Sequence, residues 1–292
     1  MNPPNPPSPT LIVMSKTVGV LAKSGSKEIA QTAKKLCQII QQHSLALVVD
    51  ENLSKLSKIP EGKPLNKLRV DLLVTVGGDG TVLKAVREIP DPKTPILGVN
   101  MGRRGYLTEV DPSEFEESLA KWMKGDYQLE KLWKLSVVND NKPLGEGLNE
   151  ALLTPAAPAK MLSLEISLRG RRFYNARADG LIVATPTGST AHAFSVGGPV
   201  LESSLDNFSL AFIAPLQPVR SIVVPVDGNL RVRIGEPGPD ANLSIDGRLL
   251  REVKVGQSLS FRKSSNSTFF VRFGDTFLQR SLQRLSPERE PD

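Results

Sequence analysis

Two rhythms of apolar and polar positions divide this chain. In residues 16–112 short apolar runs at 18–21, 45–49, 70–76 and Pro95–Asn100 read as buried strands. Between them lie stretches with helical spacing, Lys27–Gln42, where Ile29, Ala33, Leu36 and Ile40 share one face, and residues 81–88. Strands alternating with helices predict an α/β unit on a doubly wound, mostly parallel sheet, whose ligands bind beyond the carboxyl ends of the strands. A helix bearing Phe115, Leu119 and Trp122 then leads into the second rhythm. Over residues 132–273 the period shortens to two, as in Leu162–Leu168, and Gly170, Asp227-Gly228 and Asp246-Gly247 mark turns between short strands. The expected organisation is a disordered tail over 1–15, the α/β domain over 16–112, a mainly β domain over 113–271 and a last segment, 272–292, whose end is loose.

Composition narrows the class. A chain of 292 residues, 39% hydrophobic and 23% charged, is an ordinary two-domain globular protein. No apolar run approaches the ~20 residues of a membrane helix. The Pro-rich start carries no Arg before Arg69, which argues against an organelle transit peptide. A single cysteine, Cys37, excludes an internal disulfide and fits a reducing cytoplasm, and its apolar neighbours make it a core residue. The net charge of +6 favours anionic partners. Aromatics are only 5% of residues and the basic positions form no stripe, so the charge points to anionic small molecules rather than to nucleic acid or a membrane surface.

Chemistry concentrates in two glycine-threonine segments. Gly77-Gly78-Asp79-Gly80-Thr81 follows an apolar strand, and its glycines free a turn whose amides can point at phosphate oxygens. A carboxylate in an anion cradle is costly unless it holds a metal or takes a proton from a hydroxyl, which makes Asp79 a chemical residue. There is no Walker A pattern and no G-x-G-x-x-G; Gly145-Glu146-Gly147 fails where Glu150 stands. The phosphate-binding candidates are therefore Gly77, Gly78, Gly80, Thr81 and, within the following helix, Lys84. In the second segment, residues 179–190, the Thr and Ser hydroxyls and small side chains suit close packing of backbone against a flat polar ligand.

With Asn149-Glu150 between them, these segments resemble the NAD kinase family over nearly the whole chain. G-G-D-G-T alone also occurs in diacylglycerol-type lipid kinases, with a close relative in phosphofructokinases; T-P-T-G-S-T after D-G, with N-E upstream, sets the NAD kinases apart. The resemblance implies transfer of the ATP γ-phosphate to the 2'-hydroxyl of the adenosine ribose of NAD, giving NADP, with Mg²⁺ bridging the donor phosphates. It implies that Asp79 is the base and, with Gly80, touches NAD. Asn149 and Glu150 would then meet the adenine edge and the ribose hydroxyls. It places Thr190, Ala191, His192, Ala193, Phe194 and Ser195 along the dinucleotide. Lys160, Arg177 and Asp179 would surround the nicotinamide and its ribose, sometimes across a subunit boundary, and Arg248 would add a polar contact. A homo-oligomer, dimer or tetramer, follows, as does a chain end returning from about Arg272 to the first domain.

Three departures accompany the likeness. His192 stands where the family usually has Tyr, exchanging a phenol for an imidazole and so changing its hydrogen bonding and its response to pH. Arg104 replaces an apolar residue and adds a cation near the expected phosphate site. Residues 214–220 stand where many members carry Cys-Pro-His. Two other readings compete: a lipid kinase, opposed by the 185–190 segment and Asn149-Glu150, and a non-catalytic dinucleotide sensor, opposed by Asp79.

Overall fold

A computed structural model describes residues 16–57, 62–102, 105–274 and 276–285; the expectations for the tail over 1–15, for Arg104 and for the loose end beyond Ser286 lie outside these. The first half runs β1 (Thr17–Ala22), α1 (Lys27–Gln42), β2 (Ala46–Asp50), α2 (Glu51–Ser57), β3 (Gly62–Lys63), β4 (Leu72–Gly77), α3 (Asp79–Glu88), β5 (Pro95–Asn100) and α4 (Phe115–Lys124). The Ser26 hydroxyl caps α1 by accepting from the Ile29 amide, and the predicted stripe, joined by Cys37, is buried. The strands pair in parallel in the order β3-β2-β1-β4-β5. One face packs on α1 and α4 through Leu36, Ile40, Phe115 and Leu119, and the other on α3 through Val82, Ala85 and Val86. The sheet is thus doubly wound, as the alternating pattern predicts.

The second half contains β6 (Gln128–Asn139), β7 (Lys142–Gly147), β8 (Glu150–Pro155), β9 (Leu162–Leu168), β10 (Arg171–Ala178), β11 (Gly180–Ala184), α5 (His192–Ser195), β12 (Asn207–Ile213) and β13 (Ile222–Pro225). It closes with β14 (Leu230–Gly235), β15 (Ala241–Ile245), β16 (Arg248–Val253), β17 (Ser258–Arg272) and α6 (Phe277–Leu285). Six strands form a separate antiparallel sheet, β13-β12-β11-β8-β15-β16. The others extend the first sheet, and Leu164, Ile166, Val232 and Phe261 from that extension pack against Leu153, Leu181, Val183 and Leu210 of the separate sheet as a β-sandwich.

The link between halves is β17. It runs antiparallel to β6 and β14, then pairs in parallel with β5 at Phe269 and Phe270, so one sheet of 11 strands crosses the whole molecule. The return to the first domain therefore begins inside this strand, at Phe269 rather than at Arg272. Periodicity sees a long strand as one object; it cannot tell that the strand changes partners along its length.

Arg272 anchors the crossing. Its guanidinium is buried between Glu109 (3.0 Å) and Glu130 (2.7 Å), donates to the Leu107 carbonyl, and shares Glu130 with Arg280 of α6 at 2.9 Å. Removing one member leaves buried charge uncompensated, so Arg272→Ala is expected to lower the unfolding free energy by about 3–5 kcal/mol. Urea denaturation should reveal this as a lower midpoint, with Lys121→Ala, which breaks an exposed pair with Glu117, leaving the midpoint where it was. Equal midpoints for parent and Arg272→Ala would remove the anchor.

Candidate functional site

The glycine loop sits where β4 ends and α3 begins, beside the end of β1, whose Lys23 amide donates to Val76 (3.0 Å). α1 and α3 leave the neighbouring strands β1 and β4 toward opposite faces, which opens a crevice at their carboxyl ends. Gly77 has φ +154 and packs against the buried Thr81 side chain, leaving no room for a Cβ. A Cβ at Gly78 or Gly80 would meet nothing within 4 Å. The ground above the first turn of α3 is therefore open; the Thr81 amide is spent on the Gly78 carbonyl at 2.9 Å, which leaves the amides that precede it in the loop as the ones available to an anion. Gly77 and Thr81 build the loop, and Gly78, Gly80 and the partly buried Lys84 face outward from it.

Asp79 is held in place by a second loop. Its carboxylate accepts the Tyr106 amide at 2.8 Å and the Leu107 amide at 3.0 Å, and Gly105 is required because any Cβ there would run into the carboxylate. The two amides fix the direction of an acid that stands half-exposed at the mouth of the glycine loop.

Asn149 and Glu150 lead into β8 and are both buried. Neither side chain finds a hydrogen-bond partner among the described residues, and Glu150 Oε2 is sealed from solvent with none. Burial, with Asp246 adding to it, pushes the Glu150 carboxyl from 4.5 up to about 7. The backbone here is fixed from both sides: Asp246 accepts the amides of Leu148 (2.7 Å), Asn149 (2.9 Å) and Glu150 (3.1 Å), while Thr185 donates its amide to the Asn149 carbonyl (2.8 Å) and its hydroxyl to that of Leu148. Leu148 belongs to the same apolar cluster as Leu107 and Val82, which ties this segment to the loop holding Asp79.

Three hydroxyls of the 185–190 segment are spent on backbone carbonyls, that of Thr185 on Leu148, that of Ser189 on Pro186 and that of Thr190 on Thr187. Thr185, Thr187, Ser189 and Thr190 are buried. The segment packs backbone on backbone: Gly188 lies so close to Asn149 that a Cβ would enter its carbonyl. Within 190–195, Thr190 and Ala193 are likewise buried, Ala193 among Ile182, Ala184 and Ala211, so the side chains open to solvent are His192, Phe194 and Ser195, with Ala191 partly so.

Lys160, Arg177 and Asp179 gather at one end of the β9–β10 pair, where Arg177 faces Ser163 and Ala178 faces Leu162. All three are exposed, and among the described residues none forms an ion pair. The 214–220 loop is tied to them, since the Leu216 amide donates to the Arg177 carbonyl at 2.8 Å. Arg248 is exposed two residues beyond Asp246. Sequence reading took Asp246 only as a turn residue, took Tyr106 and Leu107 only as part of a family-like stretch with no role toward Asp79, and passed over Lys134, whose buried ammonium donates to the Val86 carbonyl near the end of α3 (3.1 Å). Asp-Gly announced the turn correctly; nothing in its spacing announced three amides far away in the chain.

Comparison with known proteins agrees with the architecture. Residues 18–127 match the model of the ATP-NAD kinase N-terminal domain and residues 148–273 that of the C-terminal domain. The chain is similar to the NAD kinase of Methanothermobacter thermautotrophicus, 35% identical over 271 residues covering 92% of this chain and 95% of the relative. It is also 36% identical over 245 residues to that of Marinobacter nauticus, covering 80% and 83%. Among solved structures, an NAD kinase from Archaeoglobus fulgidus in complex with ATP has a TM-score of 0.76 at 27% identity, covering 92% of this chain and 100% of that one. A yeast NADH kinase complexed with NADH has a TM-score of 0.84, covering 95% and 90%; at 21% identity that likeness is one of fold.

Gly188→Ala is expected to force Asn149 and the 185–190 turn apart and to destabilise by about 1–3 kcal/mol, read from urea unfolding; an unchanged midpoint would deny the close approach. A second expectation follows from Glu150. An acid whose folded-state value is raised from 4.5 to about 7 favours the folded chain while protonated, so its contribution is complete below 4.5 and is lost as pH rises to about 7. At about 1.36 kcal/mol per pH unit this amounts to about 3 kcal/mol. Ligand-free Glu150→Gln should lack this loss, gaining on the parent between pH 5 and pH 8 in urea titrations, whereas parallel curves for the two proteins would contradict it.

Proposed function

The chain belongs to the NAD kinase family, and we propose that the glycine loop and the Asn149-Glu150 segment are the donor and acceptor ends of its single active site. The reaction is transfer of the ATP γ-phosphate to the 2'-hydroxyl of the adenosine ribose of NAD, giving NADP. Phosphoryl transfer needs an aligned nucleophile and neutralised charge rather than covalent chemistry from the protein. The observation that carries the residue assignment is the Asp79 carboxylate, aimed by the Tyr106 and Leu107 amides at the edge of a loop otherwise suited to anions. It takes the proton of the 2'-hydroxyl as that oxygen attacks phosphorus. The first-turn amides around Gly78 and Gly80, with Lys84, hold phosphate oxygens.

At the acceptor end, Glu150 offers a buried carboxyl with no internal partner, and Asn149 an amide that both donates and accepts. These are the groups that two ribose hydroxyls and an adenine edge require. His192, Phe194 and Ser195 supply the open side of the dinucleotide site, and Gly80 lies against it; Thr190 and Ala193 shape it from beneath. Lys160, Arg177, Asp179 and Arg248 are exposed and form no ion pair among the described residues, which supports a role at a subunit boundary of a dimer or tetramer, where they meet the nicotinamide end of the ligand.

Among the described residues no cluster of His, Cys, Asp or Glu is arranged to hold a metal ion. That suits Mg²⁺, which keeps waters and binds through substrate phosphates with one or two carboxylates; Asp79 is the carboxylate at hand. When bound, the ion neutralises charge on the donor phosphates. No described helix is long and apolar enough to cross a membrane, and the single buried thiol of Cys37 supports a reducing, cytoplasmic setting.

A coupled assay of NADP formation from NAD, ATP and Mg²⁺ tests the reading. Asp79→Asn, which gives up one of the two loop amides, should still fold with at most about 1–3 kcal/mol lost and should lose about a hundredfold or more in kcat. Glu150→Gln should instead raise the dissociation constant for NAD about tenfold or more, as expected for one lost charged acceptor. Near-parental turnover by Asp79→Asn would remove Asp79 as the base.

A further inference from the structure

Asp246 does something that a turn residue need not do. It opens the Asp-Gly turn between β15 and β16 with φ +45, a conformation that Asn adopts as readily as Asp. Turn geometry therefore explains a small polar side chain but not a charged one. What calls for the charge is the other side of the turn, where the amides of Leu148, Asn149 and Glu150 converge on the carboxylate at 2.7, 2.9 and 3.1 Å. Successive residues of a regular strand point their amides to opposite sides, so three consecutive amides aimed at one point mark a deliberate distortion closed by an anion. The glycine at 147 belongs to the same device, because a Cβ there would collide with Ile245 and approach Asp246 Oδ1 to 2.9 Å. The contact is returned, since the Asp246 amide donates to the Glu150 carbonyl at 3.0 Å.

The carboxylate also has a cost. Standing near Glu150, it makes ionisation of that group harder, and an amide at 246 would spare the repulsion. The three amides offset part of it, while burial still holds the Asp246 carboxyl above its ordinary value.

We infer that Asp246 is a positioning residue for the dinucleotide: without touching NAD, it fixes the distorted backbone of Leu148 to Glu150 and so sets where the Asn149 amide and the Glu150 carboxyl stand. This rests on the reading of those two residues as the NAD-binding pair. Asp79 takes its hydrogen bonds from a different loop, Gly105 to Leu107, so the donor end keeps its own backbone support when Asp246 is changed, and only the packing of Leu148 on Leu107 joins the two.

The test compares Asp246→Asn, Asp246→Ala and Glu150→Gln in the full chain by steady-state kinetics with NAD and ATP varied separately. Asn keeps one acceptor oxygen, enough for the Asn149 and Glu150 amides but not for that of Leu148. It should raise KM for NAD about tenfold, with Ala raising it further, while KM for ATP stays within about twofold in both. A global loss of structure would move both constants together, and that result, or an unchanged KM for NAD in Asp246→Asn, overturns the inference. Should Asp246→Ala not fold, Asp246→Asn decides. If Glu150→Gln raises KM for NAD and Asp246→Asn does not, this inference fails alone; if Glu150→Gln leaves it unchanged, the underlying reading of the site fails and takes the inference with it.

Discussion

Backbone amides that no helix or strand can use must find acceptors, and this constraint organises the site. Two aspartates supply the acceptors in opposite senses. Tyr106 and Leu107 send their amides to Asp79, and the amides aim the acid. Leu148, Asn149 and Glu150 send theirs to Asp246, and the acid shapes the backbone. In the first case a carboxylate is oriented by the main chain; in the second the main chain that carries Asn149 and Glu150 is oriented by a carboxylate. A glycine permits each approach, Gly105 beside Asp79 and Gly147 beside Asp246.

Bringing the two devices into one cleft is the task of the sheet. Had the halves formed independent sheets, their relative placement would depend on a linker and on a small interface. Instead β17 pairs with β6, β14 and β5 in one length of chain, and Arg272 at its end is locked by Glu109 and Glu130. Leu107, Leu148, Val82 and Phe270 then share a single apolar cluster, so the loop behind Asp79 and the segment before Asn149 are neighbours through dry packing. Close-packed contacts of this kind resist relative movement, which in-line transfer between two bound nucleotides requires.

Local signals made much of this legible. α1 spans the residues its apolar stripe predicts, β5 and β9 likewise, and the glycine loop lies at a strand end because strand, glycine and helix follow one another in the chain. Partner changes were not legible: nothing in the alternation of β9 or β14 tells that they extend the parallel sheet while β8 and β11 do not. At the site, the chain announced residue types and not directions. The Thr and Ser hydroxyls of 185–190 read as suited to a flat polar ligand, yet the Ser189 and Thr190 hydroxyls donate to carbonyls three residues back within the turn, and Ser189 also accepts the Leu201 amide. Asp246 read as a turn because its distant amides, nearly a hundred residues earlier, leave no mark on its neighbours.

The division of labour that results follows from the chemistry of the two substrates. Polyphosphate carries its own charge, so a loop proposed to meet it needs only open amides and little side chain, which is what Gly78 and Gly80 leave. A ribose offers neutral hydroxyls, and neutral donors are best told from water by an acceptor that water cannot reach. Glu150 meets that condition at the expense of its own ionisation, since the burial that hides Oε2 also holds its proton up to about pH 7. A hydroxyl pair donating to the carboxylate restores part of the lost hydration and favours the ionised form. On the proposed reading, ribose and proton compete for the same carboxyl, and the selectivity of the acceptor end and its sensitivity to pH share one physical origin.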